Sequence, residues 1–167
     1  MADLVTHLAS ALIPGVALRA DRAAALALGA ALPDVGGRVP GLFIELLETL
    51  GLPHPGVAHV PFGILHQPAG ALLTAVVLSF VVPEKDRPWT AGCLAIGVLG
   101  HLALDALQDH HGYGYFLLVP FEFSRYELGY IGSESTVPWA PWLALATALL
   151  WTVRWGWQRR NRSKQAD

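Results

Sequence analysis

Apolar residues fall into five stretches, at 4–18, 23–32, 57–82, 90–107 and 137–157, separated by segments rich in Gly, Pro and charge. A helix rises about 1.5 Å per residue, so roughly 20 apolar residues cross a hydrocarbon core of about 30 Å. The third, fourth and fifth stretches reach that length; the first two fall short. Their small residues, as in Ala23-Ala24-Ala25 and Gly29-Ala30-Ala31, permit close backbone approach, so a tight hairpin shielded by neighbours is expected. Polar connections run at 19–22, at 34–56 with an interfacial helix near 42–50, and at 83–88. A last irregular stretch, 109–136, is broken by four glycines. The pattern predicts an all-α, polytopic membrane bundle of about five short helices, with 1–158 embedded and 159–167 a basic cytoplasmic tail.

Lys and Arg in short loops stay cytoplasmic. If the stretches alternate, one side carries nine of them, Arg19, Arg22, Lys85, Arg87, Arg154, Arg159, Arg160, Arg162 and Lys164, and the other only Arg38 and Arg125. The expectation is an inner-membrane protein with its C-terminus inside. Five tryptophans, from Trp139 to Trp157, bracket the last stretch as interfacial anchors do.

Composition agrees. Hydrophobic residues make up 53% of the 167-residue chain and charged residues 14%, with a mean hydropathy of +0.43. A soluble helical protein of this size would have to hide its long apolar stretches inside one small domain. The net charge of -2 argues against nucleic acid as a partner. Cys93 is the single cysteine, so a metal would have to be held by imidazole and carboxylate.

With orientation fixed by Lys and Arg alone, the other polar residues fall on the outer side. His7 opens the first stretch, Asp34 ends the second, and His54 and His59 lie at the start of the third. His101 and Asp105 lie in the outer half of the fourth, followed by Asp109, His110 and His111. His101 and Asp105 are four residues apart and share one helical face, a geometry that grips one ion or forms one hydrogen-bonded pair. A membrane-embedded Asp costs about 2.5–3.5 kcal/mol on insertion scales, which favours a function for Asp105. Pro33-Asp34 reads as a helix end, with Gly36-Gly37 turning the backbone over the site. For His7, Asp34 and the 109–111 run, an interfacial or solvated role stands beside the ligand role. His66, seven residues after His59, reads as a donor behind the ligands or a packing histidine.

Thr6-His7, Pro33-Asp34, the turn His54-Pro55-Gly56-Val57-Ala58-His59, and His101 with Asp105 resemble, in that order, the motifs of predicted membrane-bound metal-dependent hydrolases, some of them LexA-regulated. The likeness runs from about Thr6 to Phe121, and a more distant one reaches zinc-dependent phospholipases C. Val35-Gly36 stands where the family pattern has a second carboxylate. Pro55, Ala58 and Val60 replace its Arg, Thr and Ser, which removes a phosphate clamp and two hydroxyls.

The resemblance implies a hydrolase acting on a phosphoester or ester, such as that of a membrane lipid, at the outer face. A divalent ion, zinc by its imidazole ligands, would bind Asp34, His59, His101 and Asp105, with His7 and His54 completing the site. Asp109 is the candidate general base. The rival expectation is a non-catalytic membrane protein holding or passing a metal.

Overall fold

In a computed structural model the protein is described over residues 4–53, 64–109, 116, 118–119, 121–132 and 134–166. Among these residues five α-helices form the body: α1 (Leu4–Gly15), α2 (Ala20–Thr49), α3 (Pro68–Ser79), α4 (Arg87–Leu107) and α5 (Ala140–Ala166). A single 3-10 turn, Glu84–Asp86, leads into α4, and another, Val137–Trp139, leads into α5. The helix at Glu84–Leu107 is long and apolar enough to cross a membrane, while α1 and α3 are short apolar helices.

The first hairpin forms as expected. After Gly15 the chain turns through hydrogen bonds from Val16 to Ile13, Ala17 to Pro14 and Leu18 to Gly15, and α2 begins at Ala20. Arg154 on α5 reaches this turn and donates to the carbonyls of Gly15, Val16 and Leu18. Trp151, one turn earlier, donates Nε1 to Leu12 O at 3.1 Å. These contacts set α5 beside α1 in the same direction, so the basic C-terminal half of α5 lies at the end where α1 finishes.

Helices α2 and α4 form the centre. A Cβ at Gly29 would stand 2.2 Å from Leu94 O, and one at Gly97 would stand 2.2 Å from Leu26 O. The two glycines make reciprocal notches that let the backbones touch, the packing that helices in lipid use in place of a hydrophobic drive. Leu94, Val98 and Leu102 of α4 bury against Ala71 and Ala75 of α3, while Ala11, Leu26, Ala30 and Cys93 close the other side. Around this core many apolar side chains face outward, among them Leu73 and Val77 on α3, Val81 just after it, Ile96 and Leu99 on α4, and Leu149 and Val153 on α5. An exposed apolar surface of this extent marks contact with lipid or a partner rather than water.

Three sequence expectations are corrected. The pattern predicts a helix over 23–32 and a turn at Gly36-Gly37, but α2 runs unbroken through Pro33 and Pro40 to Thr49. Each proline removes one ladder donor, and packing against α4 on both sides of Gly29 keeps the helix going, as neighbouring helices do in membrane proteins. The third stretch, read as one spanning helix over 57–82, yields a described helix only over Pro68–Ser79, because Gln67 is extended and Pro68 starts a new helix. The fifth stretch is a long helix, but Arg154 and its indoles leave it below the apolarity of a clear span.

Past α4 the chain enters the irregular stretch foreseen from its glycines. Strand β1 (Gln108–Asp109) pairs in parallel with β2 (Ile131–Gly132), and Leu128 donates to Ala106 O at 2.8 Å, tying the segment to the end of α4.

Candidate metal centre

His7 lies in the first turns of α1, Asp34 follows Pro33 midway along α2, His66 precedes α3, and His101 and Asp105 occupy the last turns of α4. Because α1 and α3 run away from this end while α2 and α4 run toward it, the five side chains meet at one level of the bundle. All five are buried, with His7, His101 and Asp105 fully so. Among the described residues, Arg19, Arg22, Arg87 and Arg154 lie at the other end. Arg22 stacks over Trp89 and Arg87 over Phe80 there.

Asp105 is the hub. Its Oδ1 stands 3.2 Å from His7 Nε2, and its Oδ2 stands 2.9 Å from His66 Nε2 and 3.2 Å from His101 Nε2. Asp34 Oδ1 lies 3.9 Å from both His66 Nδ1 and His101 Nε2. Two overlapping ligand groups result, His7 with His101 and Asp105, and Asp34 with His66 and His101, each with its donor atoms within 4.8 Å of one another. Two donors about 2.1 Å from one tetrahedral ion stand roughly 3.4 Å apart, so the observed spacings suit a shared divalent cation.

The orientation of His101 sharpens this. Its Nδ1 lies 2.7 Å from Ala30 O, one turn before Pro33, and as the only donor of the pair it carries the proton. In the neutral ring Nε2 then presents a lone pair toward oxygens of Asp34 and Asp105, which repels unless a proton or a metal ion lies between. Among the described residues Nε2 of His101, both ring nitrogens of His7 and Oδ1 of Asp105 have no hydrogen-bond partner. The His7 and His101 rings stack with centroids 3.7 Å apart and planes 20° from parallel. A cation held by neutral imidazoles and two carboxylates removes the conflict.

Four of the residues singled out from sequence, His7, Asp34, His101 and Asp105, are thus brought together. His54 and His59 lie outside the described residues, as do His110 and His111. Asp109 stands on β1, its backbone in register with Gly132, half-buried and outside both ligand groups. His66 is the member that sequence reasoning kept behind the site, although it contacts Asp105 more closely than His7 or His101 does. The break at Gln67-Pro68 was the signal that it stands just before a new helix rather than deep inside a longer one. Beyond the helices, Tyr126 donates its hydroxyl to Glu122 at 2.8 Å. Hydrogen bonds from Ser124 and Tyr126 hold the Glu122 carboxyl below its ordinary range, and Glu122 in turn raises the Tyr126 phenol.

An all-helical body with outward apolar faces and a buried His/Asp cluster at one end defines a membrane-type helical protein with a polar centre. The chain belongs to the YdjM inner membrane protein family, whose model matches residues 1–165. That match takes in the whole region of the motif resemblance. No curated protein and no solved structure matches the chain.

Proposed function

We propose that this protein is a membrane-bound metal-dependent hydrolase whose site opens toward the outer face of the inner membrane, with the C-terminus of α5 inside. The observation that carries the reading is the pair of carboxylates, Asp34 and Asp105, facing the Nε2 lone pair of His101 while its Nδ1 is committed to Ala30. His7, Asp34, His66, His101 and Asp105 would hold the ion, with zinc favoured by the imidazole set and His54 and His59 as further ligands. Such an ion acidifies water toward a pKa of about 7 and polarises a scissile phosphoryl or acyl group. The chain's own residues hold the donors in place: Ala30 fixes the His101 tautomer, and the His7 ring stacks on His101. Asp109, on β1 just past the end of α4, is the proposed proton acceptor. The basic residues gathered at the far end support the orientation, since positive loops remain cytoplasmic.

A second reading is favoured by the burial of the cluster. Full enclosure of His7, His101 and Asp105 suits a structural or passing metal in a closed shell. The experiment that separates the two uses the full chain in liposomes, loaded with zinc, against a panel of phosphate and carboxylate esters including phospholipids. Metal-dependent hydrolysis that disappears in Asp105→Asn supports the enzyme. A stoichiometrically metal-loaded protein that cleaves none of the panel establishes the non-catalytic reading.

A further inference from the structure

A second cavity lies outside the His/Asp cluster. Between α1, the start of α2 and α5 runs a groove of about 560 Å³, lined by Val5, Leu8, Leu12, Ala24, Ala148 and Trp151 among others. Its volume is that of a small-molecule site rather than a packing defect. The walls offer hydrocarbon alone. Thr147, the one hydroxyl in the lining, donates to Leu143 O at 2.7 Å, and the indole N–H of Trp151 is taken by Leu12 O at 3.1 Å. Water entering would find no partners, and the groove is open along one side. In a bilayer the material available to fill it is the acyl chain.

The direction of the groove gives the occupant a polarity. From Val5 to Leu12 it extends roughly 10 Å along α1, most of the depth of one leaflet of a core about 30 Å thick. Val5 is two residues from His7, so the groove begins at the level of the cluster. Its other end, at Trp151, is one turn from Arg154, which is bound to the carbonyls at the finish of α1. A chain lying along it would put the ester linkage of its lipid at the level of the cluster, across α1 from His7, and its methyl end toward Trp151.

We propose that the groove between α1 and α5 holds one acyl chain of a membrane lipid, oriented so that the lipid's headgroup linkage lies at the level of His7. That the groove binds an acyl chain stands on the cavity alone. That the same lipid is the substrate rests on the hydrolase reading above.

The test is photo-crosslinking of the full chain in phosphatidylethanolamine and phosphatidylglycerol vesicles containing a trace of phospholipid with a diazirine in its acyl chain. Adducts are expected to concentrate on Leu8, Leu12 and Ala148. They should be largely lost in Ala148→Trp, which fills the space, while the metal content of that variant stays at the parent level. Ala24→Leu serves as a second filling variant, and a thermal melt of each shows whether the fold is kept. Adducts spread as evenly over Leu73, Val77 and Ile96 as over the groove would overturn the proposal. So would adducts unchanged in both folded variants, or disulfide-linked dimers through Ala148→Cys showing that a second copy covers the groove. A retained adduct map in a protein without metal would leave the groove standing and remove the hydrolase reading instead.

Discussion

Nδ1 of His101 lies 2.7 Å from the carbonyl oxygen of Ala30, across the closest approach of α4 and α2. Pro33 removes the ladder donor of the neighbouring Gly29 carbonyl, yet α2 continues unbroken. The bond to Ala30 turns Nε2 of His101 to the carboxylates, so the packing of α2 on α4 and the ligand orientation are one feature of the fold.

Metal binding by neutral imidazoles competes with protons, so the affinity of the cluster is expected to fall as pH drops. The sign is fixed: protonation removes the lone pair, and rising pH restores it. Equilibrium dialysis of the detergent-purified protein against zinc from pH 8 to pH 5 should give a steepening loss at the acid end. A flat profile would mean that the ring nitrogens are not ligands.

The crossing of α2 and α4 should tolerate no side chain at its notches. Gly97→Val would place a Cβ where Leu26 O already stands, which forces the backbones apart. Overpacking of this kind costs about 1–3 kcal/mol, and the thermal midpoint in detergent should drop. Because His101 is one turn away, metal retention should weaken as well. An unchanged melting curve would show that the helices do not touch there.

Orientation is open to a direct check. Ser135, exposed on the segment before α5, is at the cluster end, and Arg160 is exposed near the far end of α5. With Cys93 buried, cysteines placed at these two positions report the two faces. In intact cells a membrane-impermeant maleimide should label Ser135→Cys and spare Arg160→Cys. The reverse pattern would put the site on the cytoplasmic face.

Much of this was legible in the chain. The four-residue spacing of His101 and Asp105 needs only helical geometry, and the gathering of His7 and Asp34 at the end opposite the basic residues follows from Lys and Arg asymmetry. What local pattern misjudged was the effect of proline. Pro33 was read as an end because an isolated helix would stop there, yet packing around Gly29 and Gly97 carries α2 sixteen residues further, from Pro33 to Thr49. Pro68 was passed over inside an apolar run, although it starts α3 and lifts His66 into contact with Asp105. The role of Arg154 was beyond local pattern altogether, since its partners Gly15, Val16 and Leu18 are more than 130 residues away in sequence.

The central claim is that Asp105, facing three imidazoles, holds a cation rather than a set of shared protons. Elemental analysis of the purified parent and of Asp105→Asn, paired with a thermal melt of each, tests it most directly. The account predicts stoichiometric divalent metal in the parent and its loss in the variant, with the variant still folded, because the amide keeps the shape and removes the charge. Asp105→Asn that carries as much metal as the parent, or a parent that takes up none when zinc is supplied, would contradict it and leave a buried network of hydrogen bonds.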